Sequence, residues 1–151
     1  MKHERILITR TDRLGDLVLS TPVFQALREK FPQSYLACLT FLENRAVVEG
    51  NPFLNEVLLY DKKGGEKTWI GNYFFARRLA KKRFDVVLHL HPTNRMHWVS
   101  WMAGIPIRIG YQKKSAWTLT HSVPDRKGEG QIHESEYNFD LLKFLAVEFE
   151  S

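Results

Sequence analysis

Arg10, Thr11, Asp12, Arg13 and Asp16 crowd one short segment around a single glycine, Gly15. Guanidinium groups grip carboxylates and phosphates through paired hydrogen bonds. An ionised carboxylate in a cleft can take a proton from a hydroxyl. One segment therefore carries the parts for holding an acidic ligand and for activating an alcohol. The bland alternative is that Asp16 caps a helix and Asp12 pairs with a neighbouring arginine. Both charge signs meeting at one place favour a site.

Position strengthens that reading. The run Ile6-Leu7-Ile8 just before the segment is short, apolar and β-branched, as a buried strand should be. Thr21-Pro22 then marks the start of a helix, because threonine caps and proline fits the first helical position. In an open α/β sheet the loop after the first strand lies at the carboxyl edge, where ligands bind. A carboxylate near the helix start is favoured in its ionised form. The segment has neither the G-x-G-x-x-G of a dinucleotide fold nor the G-x-x-x-x-G-K-[ST] of a P-loop. Asp16 would also repel a phosphate placed on that helix.

A second polar segment, His91-Pro92-Thr93-Asn94-Arg95, follows the apolar run Val86-Val87-Leu88. If the sheet is doubly wound, the first and fourth strands are neighbours and the two polar segments converge on one crevice. Asn94 and Arg95 then offer donors for sugar hydroxyls and for carboxylate or phosphate. Arg95 has a second reading as a plain surface charge. His89 and His91 alternate along a strand end, but two histidines without a third ligand make a poor metal site. No metal or other cofactor is expected. His91 reads as hydrogen-bonded or ligand-facing, and His89 as strand packing.

The elements that must position these groups alternate. Strands are expected at Arg5–Thr9, Tyr35–Thr40, Glu56–Tyr60, Asp85–Leu90 and Ile107–Gly110, with one further short strand within Trp117–His121. Helices are expected at Thr21–Lys30, Glu43–Glu49, Thr68–Lys82, Met96–Ala103 and Glu134–Leu145, with Gly and Pro between them. Repeated βα units with Val/Leu-rich strands predict an α/β fold, a Rossmann-like doubly wound parallel sheet with helices on both faces. In the helix after Thr68, Trp69, Tyr73, Ala76 and Ala80 share a face and read as core, which leaves the cations toward water. Trp98 and Trp101 also read as core, with a domain interface as their second reading.

The chain has 151 residues, with 44% hydrophobic and 26% charged residues and a net charge of +5. That describes one ordered domain with a real core, neither disordered nor membrane-spanning. No signal peptide is expected ahead of the first strand. The lone Cys38, inside an apolar run, reads as a small core residue and fits a reducing cytoplasm. Lys62, Lys63 and Lys67 lead into a helix ending Arg77-Arg78-Leu79-Ala80-Lys81-Lys82-Arg83. That density of cations would draw an anionic partner: a phosphorylated glycolipid, an anionic membrane surface or a nucleic acid. A solvated helix face is the plainer reading. A basic nucleotide- or nucleic-acid-binding α/β module stays open as the rival. It lacks a glycine fingerprint and any helix-turn-helix, zinc-finger or RNA-recognition pattern.

Arg10-x-Asp12-Arg13-Leu14-Gly15-Asp16, with Leu19-Ser20-Thr21-Pro22 and Ala26-Leu27-Arg28, resembles the amino-terminal signature of the family 9 glycosyltransferases. These are the ADP-heptose:lipopolysaccharide heptosyltransferases and their relatives. The resemblance continues through Asp85-Val86-Val87, His91-Pro92-Thr93-Asn94-Arg95, Ala103-Gly104-Ile105-Pro106, Arg108-Ile109-Gly110-Tyr111 and His133-Glu134 with Asn138. It implies that residues 1–151 form the acceptor-side Rossmann-like domain of a two-domain GT-B glycosyltransferase. That family transfers heptose from ADP-heptose to the acidic inner core of lipopolysaccharide with inversion. By this resemblance Asp16 is the general base, and Thr11, Asp12 and Arg13 shape its loop. Arg10, Asn94, Arg95 and the Lys62/Lys63 pair grip acceptor carboxylates or phosphates, with His91 beside them. The donor ADP-sugar would be held by a carboxy-terminal domain absent from these residues, so the chain alone should transfer no sugar at a useful rate. The implied partner is an acidic glycolipid and not a nucleic acid. The implied place is the cytoplasm, with peripheral contact at the cytoplasmic face of the inner membrane.

Overall fold

A computed structural model describes residues 5–11, 14–61, 64, 68–90, 93–111 and 116–123. Six strands form one sheet: β1 (Arg5–Thr9), β2 (Tyr35–Phe41), β3 (Glu56–Tyr60), β4 (Val86–His89), β5 (Ile107–Tyr111) and β6 (His121–Val123). Their spatial order is β3-β2-β1-β4-β5-β6 and every pair is parallel. The chain moves outward from β1 to β3, then crosses back to β4 on the other flank of β1. The strand order therefore reverses between β1 and β4, with Ile8 beside Leu88 and Thr9 beside His89. This is the doubly wound sheet that the βα alternation predicts.

Strands covered on both faces need apolar side chains at successive positions, and this chain has them. Ile6, Ile8, Leu36, Cys38, Val86 and Leu88 pack under α1 (Leu14–Lys30) and α2 (Arg45–Val48), against Val23, Phe24, Leu27 and Val48. Leu7, Ala37, Leu39 and Val87 face the other way, against Phe75, Ala76 and Leu79 of α3 (Trp69–Ala80) and Met96 and Val99 of α4 (Asn94–Met102). Helices thus cover both faces. Burial pushes the Cys38 thiol up to about 12, so it is an inert core group, as its apolar setting in the sequence implies. Gly104, at φ +73°, lies just past α4 in the left-handed conformation that ends helices and that glycine adopts without strain.

Four expectations need correction. The first helix begins at Leu14, not Thr21, and Pro22 lies inside it. A proline there removes one bond and costs about 3 kcal/mol. Burying Val23, Phe24 and Leu27 on the sheet returns about 1.5–3 kcal/mol each, so the helix survives. On α3 the buried face is Asn72, Phe75, Ala76 and Leu79, while Trp69, Tyr73 and Ala80 are exposed. The cause is Asn72. The Tyr60 hydroxyl donates to its Oδ1, and its Nδ2 donates to the Thr68 carbonyl at 2.8 Å, so a polar residue takes a core position. Trp101 is exposed and Trp98 half-buried. Finally, Ala116–Thr118 is a 3-10 turn and the strand after it is His121–Val123. The expected helix Glu134–Leu145 lies outside the described residues.

Candidate functional site

Reversal of strand order leaves a crevice at the carboxyl ends of β1 and β4. A cavity of about 270 Å³ sits there, lined by Thr11, Phe41, Thr93, Arg95 and Met96. Thr11 comes from the segment after β1, Phe41 from the end of β2, and the other three from the start of α4. Both polar segments singled out in the sequence therefore contribute to one cavity, as strand adjacency requires.

The start of α4 is set by Thr93, whose Oγ1 accepts a hydrogen bond from the Met96 backbone N–H at 3.2 Å. Such a cap satisfies a donor that the helix itself cannot. It begins the helix at Asn94, two residues before the expected Met96, and puts Arg95 in the first turn. Arg95 is exposed, and its guanidinium carbon stands 6.0 Å from the centre of the Tyr60 ring. Its side chain is thus available to an anion entering the cavity.

Arg10 takes a different place. It is fully buried, its Nη1 donates to the Leu90 carbonyl at 3.0 Å, and its own carbonyl accepts from Thr40 Oγ1 at 2.9 Å. It lies behind the cavity and joins the ends of β1, β2 and β4. Asp16 stands in the first turn of α1 rather than in a loop before the helix. Asp12, Arg13, Lys62, Lys63 and His91 lie outside the described residues, as do the side chains of Asp16 and Asn94. Sequence reasoning does not single out Phe41 or Met96. A usable signal for Phe41 is its place at the carboxyl end of the strand beside β1.

Under the crevice lies a buried polar chain. His89 Nδ1 is 2.7 Å from Thr9 Oγ1, and its Nε2 is 3.1 Å from Ser100 Oγ, which donates to the His97 carbonyl at 3.0 Å. The His89 and His97 ring centres are 4.8 Å apart. Burial, and then the nearby His97 and Arg108, hold His89 well below the usual imidazole range, so it is neutral at pH 7. It is a fully hydrogen-bonded strand residue, in keeping with a packing role. Among the described residues, no three His, Cys, Asp or Glu side chains gather so that they could hold a metal ion. Among the same residues no helix is long and apolar enough to cross a membrane.

No family model matches the chain. A provisionally named glycosyltransferase of Haemophilus influenzae is 27% identical over 141 residues, covering 93% of this chain and 40% of the relative. Lipopolysaccharide heptosyltransferase 3 of Escherichia coli is 24% identical over 149 residues, covering 89% of this chain and 41% of the relative. The chain thus spans about two fifths of the length of the curated relatives it matches. The crystal structure of a family 9 glycosyltransferase from Veillonella parvula superposes with a TM-score of 0.87 at 29% identity, over 100% of this chain and 44% of that one. By sequence and by fold, the chain is homologous to the amino-terminal region of glycosyltransferase family 9, the ADP-heptose:lipopolysaccharide heptosyltransferase family.

Proposed function

We propose that this chain is the acceptor-binding half of an inverting glycosyltransferase that moves heptose from ADP-heptose to the acidic inner core of lipopolysaccharide. The observation that carries this reading is the cavity at the β1/β4 switch point. It takes Thr11 from one polar segment and Thr93 and Arg95 from the other, while Asp16 stands in the first turn of α1 on the same edge. Homology to family 9 supplies the reaction class.

In this reading the acceptor hydroxyl oxygen attacks the anomeric carbon from the face opposite the diphosphate. A carbon–oxygen bond forms there as the bond to ADP breaks, and the hydroxyl proton passes to the Asp16 carboxylate. Arg95, Asn94 and the Lys62/Lys63 pair hold the acceptor's carboxylates and phosphates, with His91, Asp12 and Arg13 shaping the approach. Arg10, buried behind the cavity, supports the two segments. A second domain supplies the grip on the ADP-sugar and stabilises the leaving diphosphate, so these residues alone give no useful turnover. The acceptor is lipid-borne, which puts the enzyme at the cytoplasmic face of the inner membrane.

Calorimetric titration tests this. A soluble Kdo-containing inner-core fragment and an ADP-sugar are titrated separately into wild type, Arg95→Ala and Asp16→Asn. The expected result is acceptor binding that Arg95→Ala weakens about tenfold, for the loss of one charge-assisted contact. Asp16→Asn should bind nearly as wild type, and the ADP-sugar weakly. Binding of the ADP-sugar without the acceptor would overturn the assignment of this half. Steady sugar transfer by the chain alone would overturn the need for a second domain.

A further inference from the structure

Among the described residues that line the cavity at the β1/β4 switch point, Arg95 is the one cation. An exposed arginine samples many rotamers, and a grip that must first be ordered is a weak grip. Arg95 has a support. Its guanidinium carbon lies over the ring of Tyr60, the last residue of β3, 6.0 Å from the ring centre. β1 and β2 separate β3 from β4 in the sheet, so this contact joins elements that strand pairing does not.

The Tyr60 ring is itself fixed. It is fully buried. Phe75 of α3 meets it edge-on with ring centres 5.1 Å apart, and Phe41, a cavity residue, tilts against it at 6.3 Å. Its hydroxyl donates to Asn72 Oδ1, and Asn72 Nδ2 donates to the Thr68 carbonyl at 2.8 Å. Thr68 in turn caps α3, its Oγ1 accepting from the Gly71 N–H at 3.0 Å. Core packing alone would be served by leucine. An aromatic ring adds an electron-rich face that attracts a guanidinium. Stacked on such a face, an arginine still points its N–H fork outward to a carboxylate or phosphate.

We propose that Tyr60 is a positioning residue of the acceptor site: its clamped ring holds the Arg95 guanidinium where an anionic group of the acceptor arrives. The role rests on the proposed function, in which Arg95 grips the acceptor, and adds the residue that orders this grip beforehand.

Two measurements on the full chain test it. The first needs no acceptor. The Arg95 Hε resonance should show an upfield ring-current shift and an ordered Nε–Hε vector, both kept in Tyr60→Phe and lost in Tyr60→Leu. The second is calorimetric titration with the soluble Kdo-containing inner-core fragment. Tyr60→Leu should weaken binding about threefold, the size of one partly exposed cation–π contact, while Tyr60→Phe should match wild type. In the Arg95→Ala background Tyr60→Leu should cost nothing further, because a residue that acts through Arg95 then has nothing to act on. Replacing Tyr60 by 3,4,5-trifluorophenylalanine keeps the shape of phenylalanine but removes charge from the ring face, so binding should fall as in Tyr60→Leu. That comparison stands even if Tyr60→Leu fails to fold.

Absence of the ring-current shift in wild type overturns the proposal. So does equal acceptor affinity of the phenylalanine and trifluorophenylalanine proteins, which would leave Tyr60 a packing residue. If the shift is present and wild type binds no acceptor, the proposed function falls and takes the positioning role with it. If Arg95→Ala weakens binding and the Tyr60 replacements do not, the positioning role alone is overturned.

Discussion

The guanidinium Nη1 of Arg10 donates a 3.0 Å hydrogen bond to the carbonyl oxygen of Leu90, tying the first residue after β1 to the first residue after β4. The backbone adds a second tie, from Leu90 N–H to the Thr9 carbonyl at 3.0 Å. The two strand ends that frame the cavity are thus held by side chain and main chain together. A fully buried arginine used in this way is a support for the site.

Replacing Arg10 should therefore be read first in stability. Arg10→Met removes a buried charge-assisted bond worth roughly 1.5–3 kcal/mol. Arg10→Lys keeps the charge but loses the planar fork, and should recover only part of it. Urea unfolding of the three proteins measures this. An unchanged midpoint for Arg10→Met would refute the supporting role.

His89 gives the fold a pH dependence whose sign follows from its depressed affinity for protons. Above about pH 6.5 the imidazole is neutral in both folded and unfolded chains, and its contribution is complete. Below that the unfolded chain takes up a proton that the folded chain refuses. Stability then falls by up to about 1.4 kcal/mol per pH unit until the lowered folded value is reached. His89→Gln should flatten this slope between about pH 6.5 and 5.5. Urea midpoints across that range, wild type against variant, decide it; equal slopes would show that His89 is not the group responsible.

Gly110 on β5 faces the same histidines. A Cβ at this position would lie 3.2 Å from His89 Cβ and 3.5 Å from His97 Nε2. His89 Cβ belongs to a central strand and cannot step aside, so Gly110→Ala overpacks the site. The expected loss is roughly 1–3 kcal/mol. Thermal unfolding checks it, and a neutral result would mean that β4 and β5 separate more readily than their pairing implies.

Thr93 links stability to ligand binding. Thr93→Ala removes the cap of α4 and should cost about 1 kcal/mol, while Thr93→Ser should be close to wild type. Fraying of the first turn also loosens Arg95. Acceptor affinity should therefore drop in Thr93→Ala and recover in Thr93→Ser, as read by calorimetry alongside a melting curve. Equal affinities in all three proteins would separate the cap from the site.

Much of the architecture is legible in the amino-acid sequence, because buried parallel strands write themselves as uninterrupted apolar runs. Ile6-Leu7-Ile8, Leu36-Ala37-Cys38-Leu39 and Val86-Val87-Leu88 each feed both core clusters. Strand–helix alternation then implies a doubly wound order, and with it the adjacency of the Arg10 and Thr93–Arg95 segments. Local rules cannot reach what depends on partners distant in the chain. The start of α1 at Leu14 overrides the Thr21-Pro22 signal, since packing of the helix on the sheet outweighs one missing hydrogen bond. The rotation of α3 that buries Asn72 and turns Trp69 outward depends on Tyr60 from another element. Arg10 as an interior tie and His89 as a neutral bridge between Thr9 and Ser100 follow from contacts with β4, eighty positions along the chain from Thr9 and Arg10. Hydrophobic pattern is a property of a segment and survives in the sequence. The burial and partners of a polar group exist only once distant segments have met.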